Sequence, residues 1–109
     1  MTSITQKLKK IRDTLLSVTD YVYHYEAEYK KRFYIVWQET GEAESLSQDN
    51  QKDEQVLQGT IDYYTNDDYD ELIDEIQQAL NESEISFHLN SVQYEEETSY
   101  IHYEWIWEI

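Results

Sequence analysis

A chain of 109 residues with 24 Asp plus Glu against 8 Lys plus Arg carries a formal net charge of −16 at pH 7, and it holds 11 Tyr and 3 Trp but no Cys and no Pro. That length fits one small domain and excludes a nucleotide-binding fold joined to a substrate domain. The lack of cysteine excludes a disulfide scaffold, a thiolate nucleophile and cysteine-ligated zinc.

The longest apolar run is Phe33 to Trp37, too short for a membrane-spanning helix. Met1 to Lys7 lead into no apolar signal region, so an intracellular soluble protein is expected. Phosphates of free DNA and anionic membranes repel so acidic a chain. It is not composed like a disordered acidic tail, because its aromatics fall in patterned segments. The charge is uneven: residues 1–32 carry a net +3 and residues 33–109 a net −19. Such an imbalance invites head-to-tail contacts between copies.

In chain order, Ile4, Leu8, Ile11, Leu15 and Val18 place an apolar stripe on a helix over roughly residues 3 to 18. Ser3 with Gln6 fits a capping box. Lys7, Lys9, Lys10 and Arg12 fall off that stripe, either as a solvated face or as a contact surface for an acidic neighbour. Tyr21-Val22-Tyr23-His24-Tyr25 and Phe33-Tyr34-Ile35-Val36-Trp37 are dense in strand formers. They read as an antiparallel pair joined by the mixed-charge stretch Glu26 to Arg32. Thr40 to Gln55 reads as a long acidic loop, with the flexible part at about 41–55, mobile in the free protein and ordered in an assembly.

Val56 to Tyr64 is a third strand, in which Gly59 signals a bulge or a close backbone approach. Asn66, Asp67 and Asp68 supply cap chemistry for a second helix over roughly 67 to 81, its stripe being Tyr69, Leu72, Ile73, Ile76 and Leu80. Ile85, Phe87 and Leu89, then Ile101, Tyr103, Trp105, Trp107 and Ile109, alternate with polar residues as two half-buried strands. Glu95, Glu96, Glu97, Thr98 and Ser99 form a charged hairpin tip between them. The expected fold is a single α+β domain of order α-β-β-β-α-β-β. Its sheet has about five mostly antiparallel strands, with two helices on one face.

No catalytic or metal-ligating constellation stands out. His24, His88 and His102 lie in separate strands without ligand-type spacing, although His88 and His102 could pair across the last hairpin. Asn66-Asp67-Asp68-Tyr69-Asp70 lacks the central Gly and terminal Glu of a calcium loop. There is no Gly-rich phosphate loop and no nucleophile elbow. The reading is a protein that is not an enzyme and needs no cofactor. The aromatics fill the core or build a subunit interface, where Tyr and Trp are enriched.

Several pieces, in order, carry a resemblance: Tyr21-Val22-Tyr23-His24-Tyr25, Tyr34-Ile35-Val36-Trp37-Gln38-Glu39 and Asp49-Asn50, then Gly59-Thr60-Ile61-Asp62-Tyr63-Tyr64-Thr65 and Asp70-Glu71-Leu72-Ile73-Asp74-Glu75-Ile76. The closing piece is Tyr94-Glu95-Glu96-Glu97-Thr98-Ser99-Tyr100-Ile101-His102-Tyr103-Glu104-Trp105. Over nearly its full length the chain resembles the tail terminator (minor capsid, tail-completion) proteins of long, non-contractile-tailed phages and prophages of Gram-positive bacteria. Relatives often carry a proline before the Tyr-Ile/Val strand, where this chain has Arg32-Phe33.

The resemblance implies a self-assembled ring, typically of six subunits, at the head–tail junction of the virion, with host cytoplasm as its location before assembly. Such rings cap the tail tube, stop its polymerisation, and dock it to a head-completion or connector protein. DNA passes through the hole without specific binding. Candidate lumen or tube-contact acids are Glu42, Glu44, Asp49, Asp53 and Glu54 of the long loop, with Glu95, Glu96 and Glu97 of the hairpin. Candidate interface residues are Lys7, Lys9, Lys10 and Arg12, with Tyr21, Tyr23, Trp105 and Trp107. The competing readings are another head–tail connector protein, and an acidic DNA mimic that occupies a host DNA-binding protein.

Overall fold

The first helix forms where apolar period and cap chemistry agree. The computed structural model describes residues 3–43 and 55–109, and α1 runs Ile4–Leu16. Ser3 Oγ accepts from the Gln6 N–H at 3.1 Å, and Gln6 Oε1 accepts from the Ser3 N–H at 3.1 Å. This capping box satisfies amides that a helix start leaves open. Ile11 and Leu15 are fully buried, and Leu8 and Val18 pack against the same core.

The strands are β1 (Val22–His24), β2 (Phe33–Glu42), β3 (Leu57–Thr65), β4 (Ser86–Glu95) and β5 (Tyr100–Glu108), with α2 (Leu72–Glu82) between β3 and β4. They make one sheet in the order β1-β2-β3-β5-β4. The β2–β3, β3–β5 and β4–β5 pairs are antiparallel. The domain is α+β, in the element order that the periodicities imply. Along β3 every second residue is buried: Leu57, Gly59, Ile61, Tyr63 and Thr65. With Ile35, Trp37, Trp105 and Trp107 they meet Ile11 and Leu15 of α1 and Ile76 and Leu80 of α2. Helix α1 lies toward β1 and α2 toward β4.

Four details differ from the sequence expectations. First, β1 runs parallel to β2, with His24 opposite Trp37. A hairpin through residues 26–32 would have set Tyr25 against Phe33. Instead Tyr25 turns at φ 75°, and His24 stacks on Trp37 at 3.9 Å between ring centroids. Glu39 accepts from His24 Nε2 at 2.7 Å and from Tyr25 Oη at 2.6 Å, which holds the same register. Residues 25–32 then cross the sheet face opposite the helices, and Tyr34 is buried there.

Second, α2 begins at Leu72, not near 67, and Tyr69 is 91% exposed. Tyr69 has φ 58°, which a right-handed helix does not admit. Asp70 sets the true start: its Oδ1 accepts from the Leu72 N–H at 2.9 Å. Third, Gly59 marks a close approach and not a bulge. The bulges fall between Glu39 and Gly41 and between Leu89 and Ser91. A Cβ on Gly59 would meet the Gln38 carbonyl oxygen and the Trp107 ring. Fourth, Gly41 and Glu42 extend β2, so the loop is shorter than 41–55, and residues 44–54 lie outside the described residues.

Gly59→Ala is therefore expected to destabilise the domain by about 1–3 kcal/mol through overpacking. Chemical denaturation followed by tryptophan fluorescence measures it. An unchanged midpoint would mean that the Trp107 ring retreats at no cost.

Candidate functional site

Three polar clusters stand out among the described residues. Under the start of α2, Asp70 Oδ2 accepts from Tyr63 Oη at 2.5 Å and from Thr65 Oγ1 at 2.7 Å. Burial pushes the Asp70 carboxyl up, but the bonds from Tyr63, the Leu72 N–H and Thr65 outweigh it and hold the group below its ordinary 3.8. Burial, then the Asp70 hydrogen bond, raises the Tyr63 hydroxyl far above its ordinary range. Beside β1, burial likewise raises Glu39, and hydrogen bonds from Tyr25 and His24 bring it below its usual value. On the sheet face away from the helices, His102 Nε2 lies 2.7 Å from Asp62 Oδ1 and stacks on Tyr64 at 4.3 Å. Burial raises the Tyr64 hydroxyl to about 12, with the nearby Asp62, Glu95 and Glu104 adding to it.

These clusters are structural. They tie a helix start, an edge strand and a cross-strand pair, and among the described residues no buried side-chain polar atom is left without a partner. Among the described residues no group of three metal-ligating side chains converges. His88 and His102 do not pair across the hairpin, since His88 sits opposite Ile106 and His102 opposite Gln93.

The predicted contact residues separate. Trp105 and Trp107 are 0% exposed, so they belong to the core and offer nothing to a partner. Both project onto the helix face of β5, which lies between β3 and β4, and pack in the core with Ile76 and Leu80 of α2. Lys7 is also misread as surface: it is 7% exposed, and its Nζ donates to the Gln55 and Ile109 carbonyls, joining α1 to the chain beside β3 and β5. The long aliphatic stem lets a lysine lie among core residues while its ammonium reaches carbonyls.

Lys9, Lys10 and Arg12 are exposed on α1. Lys9 and Arg12 line a cleft of about 120 Å³ with Leu8, His24 and Trp37 on the β1 side. Tyr21 is exposed and Tyr23 half-buried next to that edge. The six-residue spread from Arg12 to Asp13 and on to Ser17 remains open to solvent except Thr14 and Leu15.

The predicted acids separate as well. Glu44, Asp49, Asp53 and Glu54 lie outside the described residues, and Glu42 ends β2 opposite Leu57. Glu95 is not a free tip residue: it is half-buried, ends β4, and lines a 270 Å³ cleft with Lys30, Tyr34 and Tyr100. Glu96 and Glu97 are exposed in the turn. Lys31 and Arg32 belong to the same end of the sheet, through Tyr100 Oη donating to the Lys31 carbonyl and through an Arg32–Asp67 ion pair.

Sequence reading missed β4 as a surface. Its upper half, Asn90 to Glu95, breaks alternation at the Leu89/Ser91 bulge, which hid the strand. Leu89, Val92 and Tyr94 are 47%, 50% and 63% exposed on it.

The His102–Asp62 pair makes a pH prediction. The Asp62 hydrogen bond, opposed by burial and helped by the charges of Asp62, Glu95 and Glu104, raises the His102 pKa above 6.5. A raised histidine stabilises the fold fully below its unfolded value and loses that contribution as pH rises through the folded value. The stability gap between wild type and His102→Gln is therefore expected to be widest between the carboxylate range and 6.5, and to narrow at higher pH. Thermal melts across that range check it; a gap that does not change with pH would refute the coupling.

In comparisons with known proteins, no family model and no curated protein matches this chain.

Proposed function

We propose that this chain is a phage structural protein, a tail terminator subunit. In this reading it forms a ring that caps the tail tube, stops tube polymerisation and joins tail to head. The observation that carries the reading is the separation of charge along the chain, on a fold in which, among the described residues, no buried side-chain polar atom lacks a hydrogen-bond partner. Among the described residues every Lys and Arg lies between Lys7 and Arg32, while the whole chain has a net charge of −16. A ring needs unlike surfaces that meet head to tail and close. A DNA conduit needs an acidic lining that does not grip phosphates. The segments that carry the family resemblance supply β1, β2, β3, the start of α2 and the β4–β5 hairpin.

An acidic DNA mimic is less well supported. A mimic gains from a rigid, uninterrupted acidic face, whereas β4 exposes Leu89, Val92 and Tyr94. Apolar exposure of this kind suits an assembly contact.

Glu96→Lys with Glu97→Lys tests the lumen part, because both residues are exposed and neither lines the Lys30 cleft. The variant is expected to fold and to join particles, yet to lower infectivity about tenfold or more by gripping transiting DNA. Particles of full infectivity would remove these two acids from the lumen. Light-scattering mass with and without tail tubes tests the ring itself: capture onto tube ends supports it, and a monomer indifferent to tubes refutes it.

A further inference from the structure

The two edges of the sheet are unlike. At one, β1 is three residues long and two of its outward groups are used locally: the Val22 N–H donates to the Asp20 carbonyl at 3.0 Å, and the His24 carbonyl accepts from the Glu26 N–H at 3.0 Å. At the other, β4 spans ten residues, Ser86–Glu95, and has no Lys, Arg or Pro. Protein edge strands ordinarily carry such residues to block pairing with another chain. Only the bulge at Asn90, whose Nδ2 donates to Glu104 Oε1 at 2.7 Å, interrupts this edge. Beside it lies a groove of about 560 Å³ lined by Asn66, Asp68, Val92, Tyr94, Ile101 and Tyr103.

We infer that the β4 edge is an interface for a second copy of this chain, and that it receives the α1–β1 side of that copy. Charge selects this occupant. Glu84, Glu96, Glu97 and Glu108 are exposed on or around β4 and β5, the strands β2 to β5 carry no Lys or Arg, and Lys30 meets the Glu95 end in the cleft on the sheet face away from the helices. The cleft beside β1 presents Lys9, together with Arg12 and His24, which are paired within the chain with Asp13 and Glu39. Two β4 edges brought together would set acids against acids. The β4 edge against the α1–β1 side sets acids against bases, and places Val92 and Tyr94 near the exposed Tyr21. Because the two surfaces differ, the contact is heterologous, and each copy has one of each left to extend or close the assembly. This deepens the ring reading and rests on it.

Val92→Lys with Tyr94→Lys disables the β4 edge, and Lys9→Glu with Arg12→Glu disables the α1–β1 side. All four side chains are exposed, and circular dichroism of each variant verifies that the fold persists. Sedimentation velocity follows wild type, each variant and their equal mixture, alone and with tail tubes. Wild type is expected to form the larger assembly and each variant to stay a 13.2 kDa monomer. The mixture is expected to give a one-to-one dimer, since a single intact contact survives in it. Variants that assemble like wild type, or a mixture that stays monomeric, overturn the edge assignment and leave the ring reading standing. An α1–β1 variant that still dimerises alone shows β4 pairing with β4, and overturns it too. Wild type that stays monomeric with and without tubes overturns both.

Discussion

The fit of Trp107 against Gly59 is the constraint on which the rest of the fold depends. A Cβ at residue 59 would occupy the space that the indole and the Gln38 carbonyl already share. The same indole donates through Nε1 to the Thr60 carbonyl at 3.0 Å, so the ring is fixed by shape and by a hydrogen bond together. Trp105, two residues earlier on the same face, donates to Gln77 Oε1 at 3.0 Å and so reaches α2. Removing one buried tryptophan side chain costs on the order of 3–5 kcal/mol. Two of them, two residues apart on one face, give β5 a claim on an interior place in the sheet, between β3 and the edge strand β4. The sheet order and the seat of α2 follow from that placement.

Polar groups then decide what apolar burial leaves open. Asp70 gathers Tyr63, Thr65 and the Leu72 N–H, and thereby turns the chain from β3 into α2. Glu39 gathers His24 and Tyr25, and thereby turns a would-be hairpin strand into a parallel edge. In each case one carboxylate takes several donors. Charged acceptors hold such bonds about twice as strongly as neutral ones, which is why so few of them suffice to choose between backbone paths.

Much of this was legible in the residue order, and the exceptions have a common cause. The Ser3–Gln6 cap and the stripes Ile11–Leu15 and Ile76–Leu80 are local, and the period of each element reveals them. So does the alternation of Tyr103, Trp105 and Trp107, of which the two tryptophans are fully buried and belong to the core and not an interface. What stayed hidden depends on partners distant in sequence. Lys7 reads as one more basic residue until the carbonyls of Gln55 and Ile109 are brought to it. The β1–β2 direction depends on His24 meeting Trp37 and Glu39, which no periodicity encodes. The bulge at Asn90 shifts alternation midway along β4 and so conceals the second half of the strand and its exposed side chains, although Ile85, Phe87 and Leu89 announce the first half. Of the candidate contact residues, Lys9, Lys10, Arg12 and Tyr21 kept a surface position, because they flank an element whose buried face the period identifies.

The order β1-β2-β3-β5-β4 also bears on how the chain is made. The strand that joins β3 to the edge strand β4 is residues 100–108, the latest of the five in sequence. Before a ribosome has released that stretch, β3 keeps one edge bare, the core beneath the helices lacks Trp105 and Trp107, and Lys7 lacks one of its two carbonyls. Folding must then wait for long-range pairing, which is slow, and an open apolar edge in the meantime invites association with other chains. The exposed acids found throughout the later sequence keep nascent copies apart during that interval, a service distinct from anything they do once the domain is complete.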